Sequence, residues 1–311
     1  MDQIQAPQAI AEYRRSIEEF IARYLQAVDV KPTTREGYRK ALTQYVKWIN
    51  DNGIEGNQRG DILAYKTHLI ATYTAGTVNA YISAVRGFYA YLEAEKVYPN
   101  IAAGIKGAKQ PQGFRKDALT IEQARNLLTG IDRDTLEGMR DYALVNLLTR
   151  TGLRDIEAER ANIGDIVQQG GESLLYIQGK GRDSKDAFVI LTESTLQPLR
   201  AYIKARGKEA TPAAPLFVSN ANRNAGGRLT TRSISRIIKT ALKASGIDTP
   251  RITAHSLRHT AITFSLLAGA TVQEAQSMAR HSSVNTTLIY SHNIDRIASA
   301  PERKIDTLLA I

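Results

Sequence analysis

The sequence predicts a mainly helical protein with one small antiparallel sheet, an α+β fold in two parts. The first hundred residues carry helical apolar periodicity and no strand pattern. The remainder places two strand-like runs among further helices. A chain of 311 residues is long enough for two domains with separate cores, and its 43% hydrophobic and 23% charged residues are ordinary for a globular protein.

Four helices are predicted in the first part, at about 9–28, 33–50, 61–72 and 77–96. The stretch "AIAEYRRSIEEFIARYLQAV" repeats apolar side chains at helical spacing, and "DNGIEGNQRG" has the composition of a loop. These helices predict a small helical domain over residues 1–100. Residues 101–118 contain glycine, proline and basic side chains without a periodic pattern, which predicts a basic interdomain linker.

The second part, residues 119–311, is predicted to combine helices with a hairpin. Helices are expected at 121–130, 136–150, 154–160 and 193–206, and at least three more follow "PLFVSN". Between them, "SLLYIQGKG" and "DAFVIL" resemble two strands joined by a long turn that contains glycine.

Composition excludes several classes of function. The chain has no cysteine, which rules out disulfides, thiolate metal sites and cysteine nucleophiles. No apolar run approaches the length of about 20 residues that spans a bilayer, and the first residues lack the pattern of a secretion signal. A cytoplasmic protein without a membrane partner is therefore expected. The net charge of +10 favours a polyanionic partner, most often nucleic acid.

A basic stripe lies in "TTRSISRIIKTALKASG", where Arg232, Arg236, Lys239 and Lys243 follow the helical spacing i, i+4, i+7 and i+11. Isoleucine and leucine fill the opposite face of this predicted helix. Such a stripe is often only a solvated surface. Because the helix itself contains no acidic residue to offset the repulsion, contact with DNA phosphates is the favoured interpretation.

A second cluster lies in "TAHSLRHTAIT", where His255, Arg258 and His259 occupy positions i, i+3 and i+4 of a predicted helix. Residues at that spacing share one helical face. The cluster would direct one fixed positive charge and two imidazoles toward a metal, a carboxylate or a phosphate.

Two further segments offer partners for this cluster. In "LLTRTGLRDIEAER", a tight turn leaves Arg154 near a helix N-terminus, an anion-binding position, although an ion pair with Glu157 is the plainer interpretation. In "MARHSSVNTTLIYSH", His281 and Tyr290 are nine residues apart and would lie on opposite sides of one continuous helix. A break at Ser282–Ser283 would let the two side chains converge.

Taken in order, the strings "TGLRDIE", "GKG", "HSLRH" and "HSSVNTTLIY" resemble the catalytic signature of the tyrosine recombinases, the integrase family of site-specific DNA recombinases. The helical part resembles that family's core-binding domain, and residues 119–311 resemble its catalytic domain. Two positions depart from the pattern. Arg280 stands where the family usually has glycine, and the long turn "GKGRDSKDA" ends in Ala187, where a basic residue is frequent. That turn leaves Lys185 as a rival to Lys180.

The resemblance implies cleavage and rejoining of DNA through a covalent 3′-phosphotyrosyl intermediate and a Holliday junction. Tyr290 would attack the phosphate, and Arg154 and Arg258 would stabilise its developing charge. His255 would accept the tyrosine proton, His281 would bind a phosphate oxygen, and Lys180 would protonate the departing 5′-oxygen. Glu157 would orient the basic groups, and His259 is expected to be a supporting structural residue.

The implied partners are double-stranded DNA recombination sites in the nucleoid, a homotetramer assembled on two sites, and possible accessory DNA-bending proteins. No cofactor and no metal are expected, because a cationic pocket with one carboxylate does not suit a hard cation. Two alternatives remain open. The first is a type IB topoisomerase, which uses the same phosphotyrosine chemistry without partner exchange, and the second is a DNA-binding regulator that kept the fold.

The last segment, "SHNIDRIASAPERKIDTLLAI", predicts two short pieces separated by Pro301. Ile305, Leu308 and Leu309 form an apolar stripe on a helix too short to be stable alone. We expect this stripe to dock either on its own domain or, as the resemblance implies, on a neighbouring subunit.

Overall fold

A computed structural model describes residues 7–54, 58–110, 116–179, 182–299 and 301–309. The contacts divide the chain into two compact units, Met1–Gln112 and Gly113–Ile311. The helices are α1 Pro7–Ala27, α2 Pro32–Asp51, α3 Arg59–Thr72, α4 Ala75–Ala94, α5 Ile121–Thr129, α6 Leu136–Thr151, α7 Asp155–Arg160, α8 Glu193–Ala205, α9 Thr231–Ala244, α10 Ala254–Leu267, α11 Val272–Ala279, α12 Val284–Ser299 and α13 Pro301–Leu308. The strands are β1 Ile166–Gln169, β2 Glu172–Ile177 and β3 Ala187–Ile190.

The first unit is helical, as the sequence predicted. Pro32 occupies the first turn of α2, where its missing N–H costs no helical hydrogen bond. The Thr74 hydroxyl caps α4 by accepting from the Thr77 N–H. Tyr45 of α2 and Tyr89 of α4 are fully buried, and their hydroxyls satisfy each other across 2.9 Å. The helices therefore share one core that includes buried polar tips.

The chain after α4 continues to pack on this helical unit. Ala102 and Ile105 are buried in its core. The Asn79 side chain donates to the Ala108 carbonyl over 3.1 Å and accepts from the Ala108 N–H over 2.6 Å. The interdomain linker at 101–118 remains a prediction, but residues 101–108 lie against the helices. Residues 111–115 lie outside the described residues.

The second unit adds a three-stranded antiparallel sheet in the order β1-β2-β3. The sequence predicted β2 and β3, but it did not predict β1. Gly170 and Gly171 join β1 to β2 with φ values of 61° and 85°, the left-handed region that a two-residue hairpin turn requires. Leu175, Ile177 and Val189 enter the same core as the helices. The predicted fold class, mainly helical with one small antiparallel sheet, is confirmed.

The start of this unit is attached to α10 by a group of contacts that we call the α10 clasp, made by Lys116, Asp117 and Leu119. The Asp117 carboxylate accepts two hydrogen bonds of 2.6 Å from the Arg251 guanidinium. Lys116 Nζ donates to the Pro250 carbonyl over 2.6 Å, and the Leu119 N–H donates to the Thr260 hydroxyl over 2.8 Å. The clasp joins the chain at residues 116–119 to α10 and to the turn before it.

In the described part of the chain, no helix combines the length and the apolar character needed to cross a membrane.

Candidate active site

Arg154 and Glu157 lie where α6 turns into α7. Gly152 ends α6 with φ 63°, and Arg154 is the residue before the first turn of α7. The Glu157 side chain is 1% exposed, and its two oxygens accept from the Arg154 backbone N–H and from Nη1, each over 2.8 Å. The ion pair considered from the sequence is therefore present, and it caps the helix as well.

Arg258 holds the ends of two helices. It lies on α10, is 3% exposed, and donates from Nη1 to the Gly152 carbonyl over 2.5 Å and from Nη2 to the Ala279 carbonyl. Burial, followed by the nearby charges of Arg154 and Arg280, lowers the pKa of Arg258 to about 10. The guanidinium therefore stays protonated at neutral pH despite its burial.

The histidines of α10 lie against the tyrosine. The His255 and His259 rings are in edge contact, with centroids 4.8 Å apart. His259 Nδ1 is hydrogen-bonded to the Tyr290 hydroxyl over 2.5 Å. Burial and the neighbouring charge of His255 lower the pKa of His259 to about 4, and burial lowers the pKa of His255. At neutral pH His259 is uncharged, so with its proton on Nε2 it can accept from the tyrosine.

Tyr290 lies in α12 and is only 5% exposed. Burial raises the pKa of its hydroxyl to about 12, and Arg258 opposes this rise. The chain breaks between α11 and α12 around Ser282–Ser283, as the sequence predicted. His281 lies in that break, and its ring centroid is 6.4 Å from that of Tyr290. Its Nδ1 is hydrogen-bonded to the Thr287 hydroxyl over 2.9 Å, and burial lowers its pKa to about 4.

Arg280 completes the charged group. Its backbone is left-handed, with φ 54° and ψ 47°, at the C-terminal end of α11. The guanidinium donates from Nη2 to Glu157 Oε2 over 2.8 Å and from Nη1 to the Met278 carbonyl over 2.6 Å. Glu157 therefore lies between two arginines. Burial raises its carboxyl pKa, but Arg280 and Arg154 outweigh that effect and keep the pKa below its usual value.

The two candidate lysines differ in what can be described. Lys180 lies outside the described residues. Lys185, its rival, is half-buried and forms an ion pair with Asp165. In the described part of the chain, no group of three or more histidine, aspartate or glutamate side chains is placed to hold a metal ion.

The basic stripe lies on α9, with Ile234, Ile238 and Leu242 buried beneath it. Arg232 and Arg236 are exposed. Lys239 and Lys243, however, form ion pairs with Asp248, at 2.9 and 3.2 Å. Asp248 is the one acid between Arg223 and Arg258, and nothing in the sequence indicated that it pairs with these lysines. Half of the stripe therefore has a carboxylate partner.

The structure thus brings Arg154, Glu157, His255, Arg258, His281 and Tyr290 into one cluster. Sequence reasoning assigned the contact with the tyrosine to His255, whereas His259 makes the hydrogen bond seen here. It also treated Arg280 only as a departure from a pattern. The sequence carried a signal for His259, since His255 and His259 are one helical turn apart and share a face.

A buried tyrosine surrounded by histidines and arginines, in a mainly helical chain with one small sheet, defines the class of the tyrosine recombinases. The match to two family models gives the same result: residues 17–96 match the phage integrase N-terminal SAM-like domain, and residues 117–296 match the phage integrase family. The chain belongs to the phage integrase family, and it is a site-specific DNA recombinase of the tyrosine type.

Curated relatives are similar over most of the chain. The tyrosine recombinase XerD of Rhizobium meliloti (strain 1021) is 28% identical over 273 residues, which covers 84% of this chain and 85% of the relative. The tyrosine recombinase XerC of Chlamydia muridarum (strain MoPn / Nigg) is 33% identical over 224 residues, which cover 71% of this chain and 68% of the relative.

Solved structures share the fold. XerH in a post-cleavage complex with palindromic difH substrate has a TM-score of 0.73 at 20% identity, covering 97% of this chain and 91% of that one. A lambda integrase (75–356) dimer on a COC′ core site has a TM-score of 0.69 at 18% identity, covering 86% and 96%. A lambda integrase tetramer on a Holliday junction has a TM-score of 0.68 at 18% identity, covering 88% and 76%.

Proposed function

We propose that this recombinase cleaves double-stranded DNA through a covalent 3′-phosphotyrosyl bond to Tyr290 and exchanges strands through a Holliday junction. The observation that carries the proposal is the hydrogen bond between the Tyr290 hydroxyl and an uncharged His259, with the positive charge of the buried Arg258 near enough to oppose the rise in the tyrosine pKa. A nucleophile next to a base and a phosphate-binding cation is what transfer of a phosphoryl group to tyrosine requires.

The reaction needs a proton acceptor, stabilisation of the phosphate, and a proton donor. The Tyr290 oxygen forms a bond to phosphorus while the bond from phosphorus to the 5′-oxygen breaks. Its proton passes to a histidine; the hydrogen bond supports His259, with His255 in ring contact behind it. Because the pKa of Tyr290 is raised to about 12, ionisation depends on the phosphate site being assembled around it.

The phosphate itself is held by cations. Arg154 and Arg258 donate the N–H groups that the Glu157 carboxylate and two backbone carbonyls leave unused to the non-bridging oxygens, where negative charge builds up in the transition state. His281 donates to one of these oxygens. Glu157 orients the arginines and takes no part in bond making.

Lys180 protonates the departing 5′-oxygen in this proposal. Lys185 is the weaker candidate, because its amine is engaged by Asp165. To reach a leaving group, the Lys185 amine would first have to break its contact with the Asp165 carboxylate.

Assembly on DNA is part of the proposal. The apolar residues of α13 are exposed, with Leu308 at 85%, so the described part of the chain does not cover them. We propose that α13 docks on a neighbouring subunit and builds a homotetramer on two recombination sites, with accessory DNA-bending proteins as possible further partners. The tetramer of lambda integrase on a Holliday junction supports this arrangement by analogy.

Covalent trapping tests the chemistry. The substrate is a duplex that the protein selects from a random-sequence pool, nicked so that the cleaved strand diffuses away. Wild-type protein should give a covalent protein–DNA band on a denaturing gel, whereas Tyr290→Phe should bind the duplex and give none. Tyr176→Phe is the matched control, because that hydroxyl lies in β2 and bonds Gln169. An adduct formed by Tyr290→Phe would contradict the proposal.

A further inference from the structure

Arg280 has a backbone conformation that arginine does not favour. In the described part of the chain, only Lys96 and Arg280 are non-glycine residues with positive φ, at 57° and 54°. An L-residue in the left-handed region crowds its Cβ against the neighbouring carbonyl oxygen, a crowding from which glycine is free. An arginine at this position therefore needs a compensating interaction.

The side chain of Arg280 offers such an interaction. It is 15% exposed, and it reaches the buried Glu157 carboxylate with Nη2. Its Nε is buried with no hydrogen-bond partner among the described residues. Because an unpaired buried donor is unfavourable, the two Nη contacts must offset both this cost and the strained backbone. The ion pair with Glu157 is the strong one of the two.

Glu157 connects Arg280 to the phosphate-binding group. One oxygen accepts from Arg154 Nη1, while the other accepts from Arg280 and from the Arg154 backbone. If the guanidinium of Arg280 were absent, the carboxylate could turn to pair with Arg154 in a fork-to-fork arrangement. That pairing would occupy donors that the DNA phosphate needs.

We propose that Arg280 is a positioning residue for DNA cleavage, which holds the Glu157 carboxylate so that the Arg154 guanidinium stays directed at the scissile phosphate. The inference rests on the proposed phosphotyrosyl chemistry. Arg280 also has a separate backbone role, because the turn at this residue places the Ala279 carbonyl that accepts from Arg258. Glycine preserves that turn, so Arg280→Gly removes the side-chain contribution alone.

The test compares Arg280→Gly and Arg280→Lys with wild type in two assays, affinity for the intact duplex and rate of covalent trapping on the nicked one. We expect Arg280→Gly to bind the duplex as well as wild type within about twofold while the trapping rate falls roughly 10-fold to 100-fold, the effect of a misplaced reacting group. Arg280→Lys keeps a cation for Glu157, so its trapping rate should lie between those of wild type and Arg280→Gly. Trapping by Arg280→Gly at the wild-type rate, or by Arg280→Lys no faster than by Arg280→Gly, would overturn the inference.

Lys96→Gly is the matched control. It removes one positive charge and one left-handed non-glycine residue at an exposed position after α4. Its trapping rate should equal that of wild type. The melting temperature of Lys96→Gly should not fall, because glycine relieves the backbone crowding at that exposed position.

A double variant isolates the route through Glu157. In a Glu157→Gln background, Arg280→Gly should lower the trapping rate by less than about threefold, because the carboxylate that the Arg280 side chain positions is already gone. An equal loss in both backgrounds would overturn the inference, because Arg280 would then act without Glu157. If wild-type protein forms no adduct, the proposed function itself fails; an adduct that Arg280→Gly forms undiminished refutes only the role of Arg280.

Discussion

Burial sets the charges of the residues around Tyr290. Desolvation is the largest cause of the lowered pKa of His259, about 4; His255, Arg258 and His281 add to it, and Asp117 opposes it. A histidine in an unfolded chain titrates near 6.5. Between about pH 4 and 6.5 the unfolded chain therefore binds this proton and the folded chain does not, so acid favours unfolding. His281, with a pKa of about 4, acts in the same direction.

We accordingly predict that the second unit loses stability as the pH falls from about 6.5 toward 4. For His259, which is buried, the loss should be on the order of 2 kcal/mol. His259→Gln, which cannot be protonated, should flatten this dependence in calorimetric unfolding curves recorded between pH 7 and 4.5. His292→Gln, at an exposed site of α12, serves as the control and should leave the slope unchanged. An unaltered slope in His259→Gln would contradict the charge assigned to this pocket.

At the scale of elements, α9 is a helix whose basic face is only partly available. Arg232 and Arg236 have no carboxylate partner among the described residues, whereas Lys239 and Lys243 share Asp248. These exposed pairs are weak, but a lysine must give up its aspartate before it can neutralise a phosphate. The two halves of the stripe should therefore contribute unequally to DNA affinity.

The prediction for α9 concerns the salt dependence of DNA binding. Replacing Arg232 and Arg236 together by alanine should reduce the slope of log affinity against log salt by about 1.8, because each phosphate contact contributes about 0.9. Replacing Lys239 and Lys243 should lower affinity less, and Asp248→Asn should strengthen binding. Fluorescence anisotropy titrations over a series of NaCl concentrations measure all three. Equal losses from the two pairs would show that Asp248 does not restrain the lysines.

Local patterns predicted the helices well and long-range contacts poorly. The helical spacing of His255, Arg258 and His259 and the break before α12 were predicted, because the spacing and the Ser282–Ser283 pair are visible in the sequence. Strand β1 was overlooked, since "IVQQ" is short, although the Gly170–Gly171 pair after it is a hairpin signal. The hydrogen bond from Tyr290 to His259 joins residues 31 positions apart, and no periodicity encodes which of two neighbouring histidines makes it.

At the scale of the whole molecule, the exposed stripe of α13 is the feature that a single chain leaves unexplained. Ile305, Leu308 and Leu309 are 51%, 85% and 65% exposed. An eight-residue helix is marginal in water and gains stability only by burying such a face. A single residue separates α12, which carries Tyr290, from α13. A partner that binds α13 therefore also constrains the helix of the nucleophile.

We predict that removing residues 303–311 leaves binding to a single site nearly unchanged and abolishes synapsis and strand exchange. Leu308→Lys should have the same effect in milder form, since it places a charge in the interface that the proposal assigns to this face. Phe188→Lys is the control, at a hydrophobic residue of β3 that is 50% exposed. Native gels with one and two DNA sites resolve the complexes. Normal two-site complexes from the truncated protein would exclude docking between subunits.

The α10 clasp has a mechanical consequence. Tension applied to the chain ahead of residue 116 reaches α10 through the Asp117–Arg251 pair and the Leu119–Thr260 bond. These bonds lie to either side of Arg258 in sequence, so the load is shared along the first turns of the helix that carries His255 and His259. Tension on this segment would therefore be transmitted to the helix whose His255 and His259 lie against Tyr290.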